Sequence, residues 1–471
     1  MRANGLSCRP RLARRSYPES SMSLVEGPSA LLPDSRLDCP IAVCHGETLG
    51  AERFLGEAVA LAERLPTRSW VINLCANRYH FLLMFVAALL RGQVSLLPHN
   101  RTAAAVRALV DEYPDAYVAC DEAPPDAGAV TFLVGRPVRC PREAPNPLLD
   151  GSRPVALVFT SGSTGRPEPH EKTWDIFRRS VDLIAEHLGV ASSQGHATVA
   201  TVPAQHMYGL ETTILLPLRS RCVLTDRPAF YPADVQSALA ALPAPRMLVT
   251  TPIHLRACLA SGIALPRVDL IVSATAPLPV ELARTAEERF GGVLREIYGF
   301  TEAGSVATRR TSRDDRWTLF RGLELDGVDG GLRLLAPYLK GPVPLQDRLE
   351  STGGNRFRWL GRLSDHINVA GKRASLTALN ATLQALPGVE DGAFFVPSSA
   401  GDEATSTARL IAFAVAPRRT RSELMAELRQ HLDPAFLPRP LFLVEGLPRQ
   451  ENGKLSREAL EALAESCRRR R

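Results

Sequence analysis

The sequence predicts an α/β fold: a large N-terminal domain of parallel-rich sheets layered with helices, then a small α+β C-terminal domain. Three observations carry this. Between residues 48 and 120, short apolar runs alternate with helical repeats, the pattern of βαβ units on a parallel sheet. Between 155 and 302, apolar runs lead repeatedly into polar or glycine-bearing loops, as strands do when their carboxyl ends line a crevice. Finally, 471 residues exceed one ordinary core, and the pattern restarts near Arg362.

The elements follow in order. Residues 1–21 are basic without an apolar core, so they read as a disordered tail rather than a secretory signal, with Met22 an alternative start. Phe54, Val59, Leu61 and Leu65 give 48–65 a helical spacing. Residues 70–74 form a strand. The longest uncharged apolar run, 79–90, is too short to span a bilayer and reads as a buried helix. A strand at 94–97, a helix at 103–110 and a strand at 116–120 continue the alternation. Residues 121–154, rich in Pro, Asp, Gly and Arg, read as a long connection. The large domain is expected over 22–361 and the small one over 362–471. The small one has strands at 392–396 and 410–415 and helices near 376–386, 422–432 and 456–464.

Composition narrows the function classes. The chain is 45% hydrophobic and 23% charged, which is globular. The net charge of +6 is modest, and the Arg-rich ends that hold much of it lack interleaved aromatics, so no nucleic-acid partner is expected. Nine cysteines include no Cys-x-x-Cys pair. That speaks against a structural zinc site or a disulfide framework and suits a reducing cytoplasm.

The chain is organised around residues 155–174. An apolar strand at 155–159 leads into Thr160, Ser161, Gly162, Ser163, Thr164 and Gly165. Glycines allow a tight turn, and hydroxyls and N–H groups converge on an anion. A short irregular stretch follows, then a helix capped by Thr173 and stopped by Gly189. The hexapeptide alone also fits a plain surface loop. It is not the common P-loop, because the Gly-Lys-Ser/Thr ending is absent. It resembles the Ser/Thr/Gly-rich signature of the adenylate-forming superfamily, which includes acyl- and aryl-CoA ligases, peptide-synthetase adenylation domains and luciferases.

Further motifs extend the resemblance over about 48–460. Tyr298, Gly299, Phe300, Thr301 and Glu302 fit a stacking, phosphate-binding and Mg²⁺-holding set; alone they also fit a helix N-terminus with a Thr cap. The resemblance implies that Tyr298 packs on adenine, Thr301 contacts phosphate and Glu302 holds the metal. Ser273, Ala274, Thr275, Ala276 and Pro277 resemble the adenine-side loop, with Thr275 where the family has Gly. Asp347 precedes Gly361-Arg362 at the spacing of the family's ribose-binding Asp and its Gly-Arg. Arg362, always charged, suits ribose or phosphate. Ser364 occupies the hinge position, and Gly371, Lys372 and Arg373 lie on the thiol-acceptor side. Asn452-Gly453 is a tight turn that projects Lys454. The resemblance makes Lys454 the catalytic cation and places His206 beside the acyl pocket; a packed strand-end histidine is the alternative.

Two departures stand out. The phosphate loop lacks its usual Lys, for which Glu168 stands. Glu168 is expected to turn away from the phosphates, and Lys172 to reach in. The short Tyr298–Asp347 interval implies a reduced β-subdomain. The resemblance implies ATP and Mg²⁺ as cofactors, adenylation of a carboxylic acid, and transfer to coenzyme A or an acyl carrier protein. The stretch through Trp174 is similar to stand-alone aryl polyene and xanthomonadin-type hydroxybenzoate ligases. A fatty acyl-CoA or acyl-carrier ligase, and an adenylate-binding protein without catalysis, are the alternatives.

Overall fold

The computed structural model describes residues 27–122, 128–135, 144–160, 167–191, 195–227, 229–328, 331–362, 366–369, 372–397, 410–450 and 453–469. The chain enters on a hairpin of β1 (Pro40–Cys44) and β2 (Glu47–Gly50). Its turn is His45-Gly46, both at positive φ, 51° and 81°. Two such residues match the twist of a tight hairpin. The turn folds Thr48 and Leu49 back as strand, so helix α1 (Ala51–Arg64) begins three residues later than its periodicity predicts.

The first sheet follows the predicted alternation: β3 (Trp70–Asn73), α2 (Arg78–Leu90), β4 (Val94–Leu97), α3 (Ala103–Glu112), β5 (Ala116–Cys120) and β6 (Thr131–Leu133). It closes with β7 (Pro154–Thr160) and β8 (Glu168–Thr173), giving the order β8-β7-β4-β3-β5-β6. Residues 121–154 are therefore not a bare connection: they hold β6 and a short strand, Leu148–Leu149, paired with Ser29–Ala30. Helix α2 is buried over most of its length, as its unbroken apolar run requires.

Residues 168–173 are strand rather than irregular. Glu168, His170 and Lys172 alternate with Pro169 and Glu171, and β8 is an edge strand, where a proline is tolerated. Helix α4 (Trp174–Leu188) has its predicted ends. The Thr173 hydroxyl accepts from the amide of Ile176, and Gly189 closes the helix at φ 75°.

The second sheet is built from β9 (Ala197–Ala200), β10 (Val223–Thr225), α5 (Pro232–Ala240), β11 (Arg246–Thr250), α6 (Pro252–Ala260), β12 (Leu270–Ser273), α7 (Val280–Phe290), β13 (Val293–Phe300), β14 (Gly304–Arg309) and β15 (Trp317–Leu319). Between β9 and β10 runs a helical segment, 207–219, whose middle, Leu210–Leu215, is π-helical. A three-stranded sheet of β16 (Glu324–Val328), β17 (Gly331–Leu335) and β18 (Val343–Pro344) fills the short interval before β19 (Asp347–Gly353) and β20 (Arg356–Arg362). Among the described residues the large sheet runs β19-β20-β15-β14-β13-β12-β11-β9-β10-β1-β2. The strands from β13 to β1 are parallel, so the loops after β9, β11, β12 and β13 emerge at one edge. One apolar core spans both sheets and includes α2 and α4.

Past Arg362 come the hairpin β21 (His366–Val369) and β22 (Lys372–Ser375), α8 (Leu376–Gln384), β23 (Asp391–Phe395), β24 (Ile411–Val415), α9 (Arg421–His431), β25 (Leu441–Leu443) and α10 (Arg457–Arg469). This part has its own cores, around Leu383 and Leu428 on one face of its sheet and Phe413 on the other. Among the described residues no helix is long and apolar enough to cross a membrane.

Thr173→Val keeps the shape of the α4 cap but removes its acceptor. It should lower stability by about 1 kcal/mol, read from urea unfolding.

Candidate active site

The loops that carry many of the predicted residues emerge at one edge of the second sheet. Tyr298 and Asp347, 49 positions apart, are joined by a 2.6 Å hydrogen bond from the phenol to Oδ2. The Tyr298 ring packs among Trp317, Phe357 and Phe300, with centroids 5.7, 5.7 and 6.3 Å away. Asp347 and Arg362 are direct partners in the β19–β20 hairpin, which is why their spacing in sequence is diagnostic. Tyr298, Gly299 and Phe300 end β13, and Thr301, Glu302 and Ala303 form the turn into β14. The set is thus the tip of a hairpin, not the start of a helix. Gly299 sits where a Cβ would run into the Gly304 carbonyl and lie 2.8 Å from the Ser305 Cα.

The adenine-side loop leaves β12 at Ser273. Its backbone is held by Glu296, whose Oε1 accepts from the Leu278 amide at 3.3 Å, while Oε2 takes Arg309 and Thr311. Thr275 sits at φ 79°. This is the left-handed region, costly for a β-branched residue, so the family's preference for Gly here has a backbone cause. Ala274 is buried, Ala276 is half-buried and Pro277 is exposed. The hydroxyls of Ser273 and Thr275 are buried without a hydrogen-bond partner.

Of the phosphate loop, Ser161, Gly162, Ser163, Thr164 and Gly165 lie outside the described residues. Its root is clear: Thr160 Oγ1 lies 3.2 Å from His170 Nε2. Glu168, His170 and Lys172 pair with Thr160, Val158 and Ala156. Cross-strand partners share a face, so Glu168 stands directly across from Thr160 at the root of the loop. Lys172 corrects an expectation. It is 1% exposed, and Nζ donates to the Glu302 carbonyl at 2.7 Å. The side chain points into the protein from a strand face that packs against the core, so it is not a free cation at the loop. Burial pushes its ammonium down to about 8, opposed by Glu211 and Glu302.

Sequence reasoning missed Glu211. Its carboxylate, fully buried, accepts from Ser180 Oγ at 2.5 Å, Ser305 N at 3.1 Å and Ser305 Oγ at 2.6 Å, and burial pushes its pKa up. The signal was available: a lone acid inside the apolar run 210–218 must be paired.

His206 lies at the end of the loop after β9. Burial pushes its imidazole down to about 4, helped by Lys454, His99 and Arg101. It is therefore neutral at ordinary pH, and the Lys454 charge acts on it from the other side of the domain junction. The Lys454 turn docks on the start of α6: a Cβ on Gly453 would lie 3.3 Å from Ile253 Cγ2. Arg256 of α6 donates to the Glu390 carbonyl at 2.8 Å, a second tie between the domains. Ser364 and Gly371 lie outside the described residues; Lys372 and Arg373 open β22.

Glu302 exposes its carboxylate at the turn, and a hard oxygen ligand there fits Mg²⁺. A different trio, Cys44, His45 and Asp226, also clusters. Its thiol donates to Asp226, and burial pushes the thiol up to about 12, so it behaves as a hydrogen-bonded hairpin cap.

The description "AMP-binding enzyme" matches residues 69–329. The chain belongs to this family. It is 33% identical over 306 residues to a 4-coumarate–CoA ligase of Rhodobacter capsulatus, covering 64% of this chain and 74% of that one. Its fold is shared with ATP-bound MatB from Rhodopseudomonas palustris, with TM-score 0.76, 18% identity and coverage of 92% and 96%. The anthranilate CoA ligase AuaEII in complex with anthranoyl-AMP gives TM-score 0.74, 15% identity and coverage of 92% and 95%. The protein is thus an AMP-forming acid–thiol ligase that uses ATP.

Relieving the strained position should register as stability. Thr275→Gly is expected to raise the unfolding free energy by about 1 kcal/mol, seen as a higher Tm. A lower Tm would mean that the Thr275 side chain contributes more than its backbone costs.

Proposed function

We propose that this ligase activates an aromatic carboxylic acid, such as a hydroxybenzoate, and passes the acyl group to the thiol of a separate acyl carrier protein. The observation that carries the adenylation role is the docking of the Gly453-Lys454 turn on the start of α6, which follows β11 at the edge where the strand-end loops emerge. The aromatic substrate is supported by the 4-coumarate–CoA ligase relative. The carrier acceptor is supported by the resemblance through Trp174.

A substrate carboxylate oxygen attacks the α-phosphorus of ATP, and the bond to pyrophosphate breaks. Lys454 carries the positive charge that this step needs, because negative charge gathers on the α-phosphate oxygens and the incoming carboxylate. Tyr298 offers a ring face to adenine, Asp347 takes the ribose hydroxyls, and Arg362 adds a fixed charge. Thr160, Thr301 and the loop 161–165 hold phosphate. His206, neutral, sits against the carboxylate without adding charge to it. Mg²⁺, held at Glu302, neutralises phosphate charge when bound. In the second step the carrier thiolate attacks the acyl carbon and AMP leaves, with Gly371, Lys372 and Arg373 on the acceptor side and Ser364 as the pivot between the two arrangements.

Two measurements test this. Lys454→Ala should slow pyrophosphate exchange by roughly 10²–10³-fold while sparing thioester formation from supplied acyl-adenylate; equal loss in both half-reactions removes the role assigned to Lys454. A pyrophosphate-release screen should respond to hydroxybenzoates over fatty acids, and product should form on a carrier protein in preference to coenzyme A. Fatty acids as the better substrates, or coenzyme A as the equal acceptor, defeats the corresponding part of the reading.

A further inference from the structure

A buried polar cluster lies behind Glu302, and the steps above do not use it. Lys172 comes from the edge of the first sheet. Glu211 comes from the π-helical turn, Ser180 from α4 and Ser305 from β14. We infer that Lys172, set against Glu211, is a positioning residue for the metal-holding carboxylate: it fixes the main chain of Glu302 and with it the direction of the Glu302 side chain. This rests on the reading that Glu302 holds Mg²⁺.

The geometry supports it at both ends of the turn. On one side Lys172 Nζ holds the Glu302 carbonyl at 2.7 Å. On the other, Glu211 holds the amide and hydroxyl of Ser305 at 3.1 and 2.6 Å. Between them the turn closes on itself, the Ala303 amide donating to the Phe300 carbonyl at 3.2 Å. Gly304, at φ 82°, leaves no side chain between turn and carboxylate; a Cβ there would meet Glu211 Oε1 at 2.5 Å. A lysine is almost never fully buried unless paired. Lys172 is buried with a carbonyl as its hydrogen-bond acceptor and the Glu211 charge nearby. A π-helical turn, rare and concentrated at functional sites, supplies that charge. The cation missing from the phosphate loop has a counterpart here, one layer back, acting on the protein's own backbone.

Residues that brace a metal ligand typically matter 10–100-fold in metal affinity. The experiment compares the affinity for a non-hydrolysable ATP analogue as its Mn²⁺ complex with the affinity for the same analogue in EDTA, by calorimetry, with Mn²⁺ electron paramagnetic resonance reporting the bound ion. No acid substrate is present, so turnover plays no part. The variants are Lys172→Met, the double variant Lys172→Met/Glu211→Gln, and Glu302→Gln as reference. Circular dichroism melts verify folding. The double variant carries the test if Lys172→Met alone unfolds by stranding Glu211. Expected is a metal-dependent gain in affinity that disappears in Glu302→Gln and falls roughly 10–100-fold in the double variant, with metal-free binding unchanged. If the double variant keeps the full gain while Glu302→Gln loses it, the positioning role is overturned and the metal assignment stands. If Glu302→Gln keeps the gain, the metal assignment fails, and the inference with it.

Discussion

The hydrogen bond from Lys172 to the Glu302 carbonyl joins the two sheets of the large domain at the point where chemistry is expected. Lys172 belongs to the edge of the first sheet, and Glu302 to a hairpin tip of the second. Taking an ammonium out of water costs several kcal/mol before any partner is counted. Glu211 offsets part of that cost, and the hydroxyls of Ser180 and Ser305 fill its remaining acceptor sites. The phosphate hairpin, the β13–β14 turn and the π-helical turn therefore hold a fixed relation to one another. A shift in any of them strands a buried charge.

The same constraint explains where the crevice lies. Parallel strands deliver their following loops to one edge, and the strands from β13 to β1 are parallel. Polar groups then collect at that edge. Thr201 and Thr251 both share His254 Nδ1, at 3.1 and 2.9 Å, and the Tyr208 phenol donates to the carbonyls of Thr250 and Val272. These bonds tie the ends of neighbouring strands to one another.

Much of this was legible in the sequence, for identifiable reasons. Between 70 and 120, short apolar runs alternate with longer apolar or helically spaced segments, and the bounds of the elements match to within about two residues. The Asp347 spacing was legible because hairpin register converts sequence separation into adjacency. What escaped was decided by tertiary context. The strand at 168–173 holds two charges and a proline among its first four residues, and only pairing with β7 makes it a strand. Thr48 and Leu49 fit a helix by spacing, but the His45-Gly46 turn decides otherwise. Lys172 was expected to reach into the phosphate loop because sequence gives its type but not the face of the sheet it occupies. Thr275 stands where the family has Gly, and the left-handed backbone conformation is kept at φ 79°.

The small domain adds a constraint on motion. Lys454 stands on a turn that is braced locally. Arg449 grips Asp391 through two bonds of 2.7 Å and donates to the Gly453 carbonyl at 2.8 Å, while the Gln450 amide donates to the Lys454 carbonyl at 2.8 Å. Asp391 opens β23 and so belongs to the central sheet of that domain. A bidentate Arg–carboxylate pair fixes direction as well as distance. The Lys454 backbone is thus tied to the sheet of its own domain, and a flexing loop is a poor way to move it. Any displacement of Lys454 relative to the large domain would therefore carry the sheet of its own domain with it, across the contacts that Ile253 and Arg256 make.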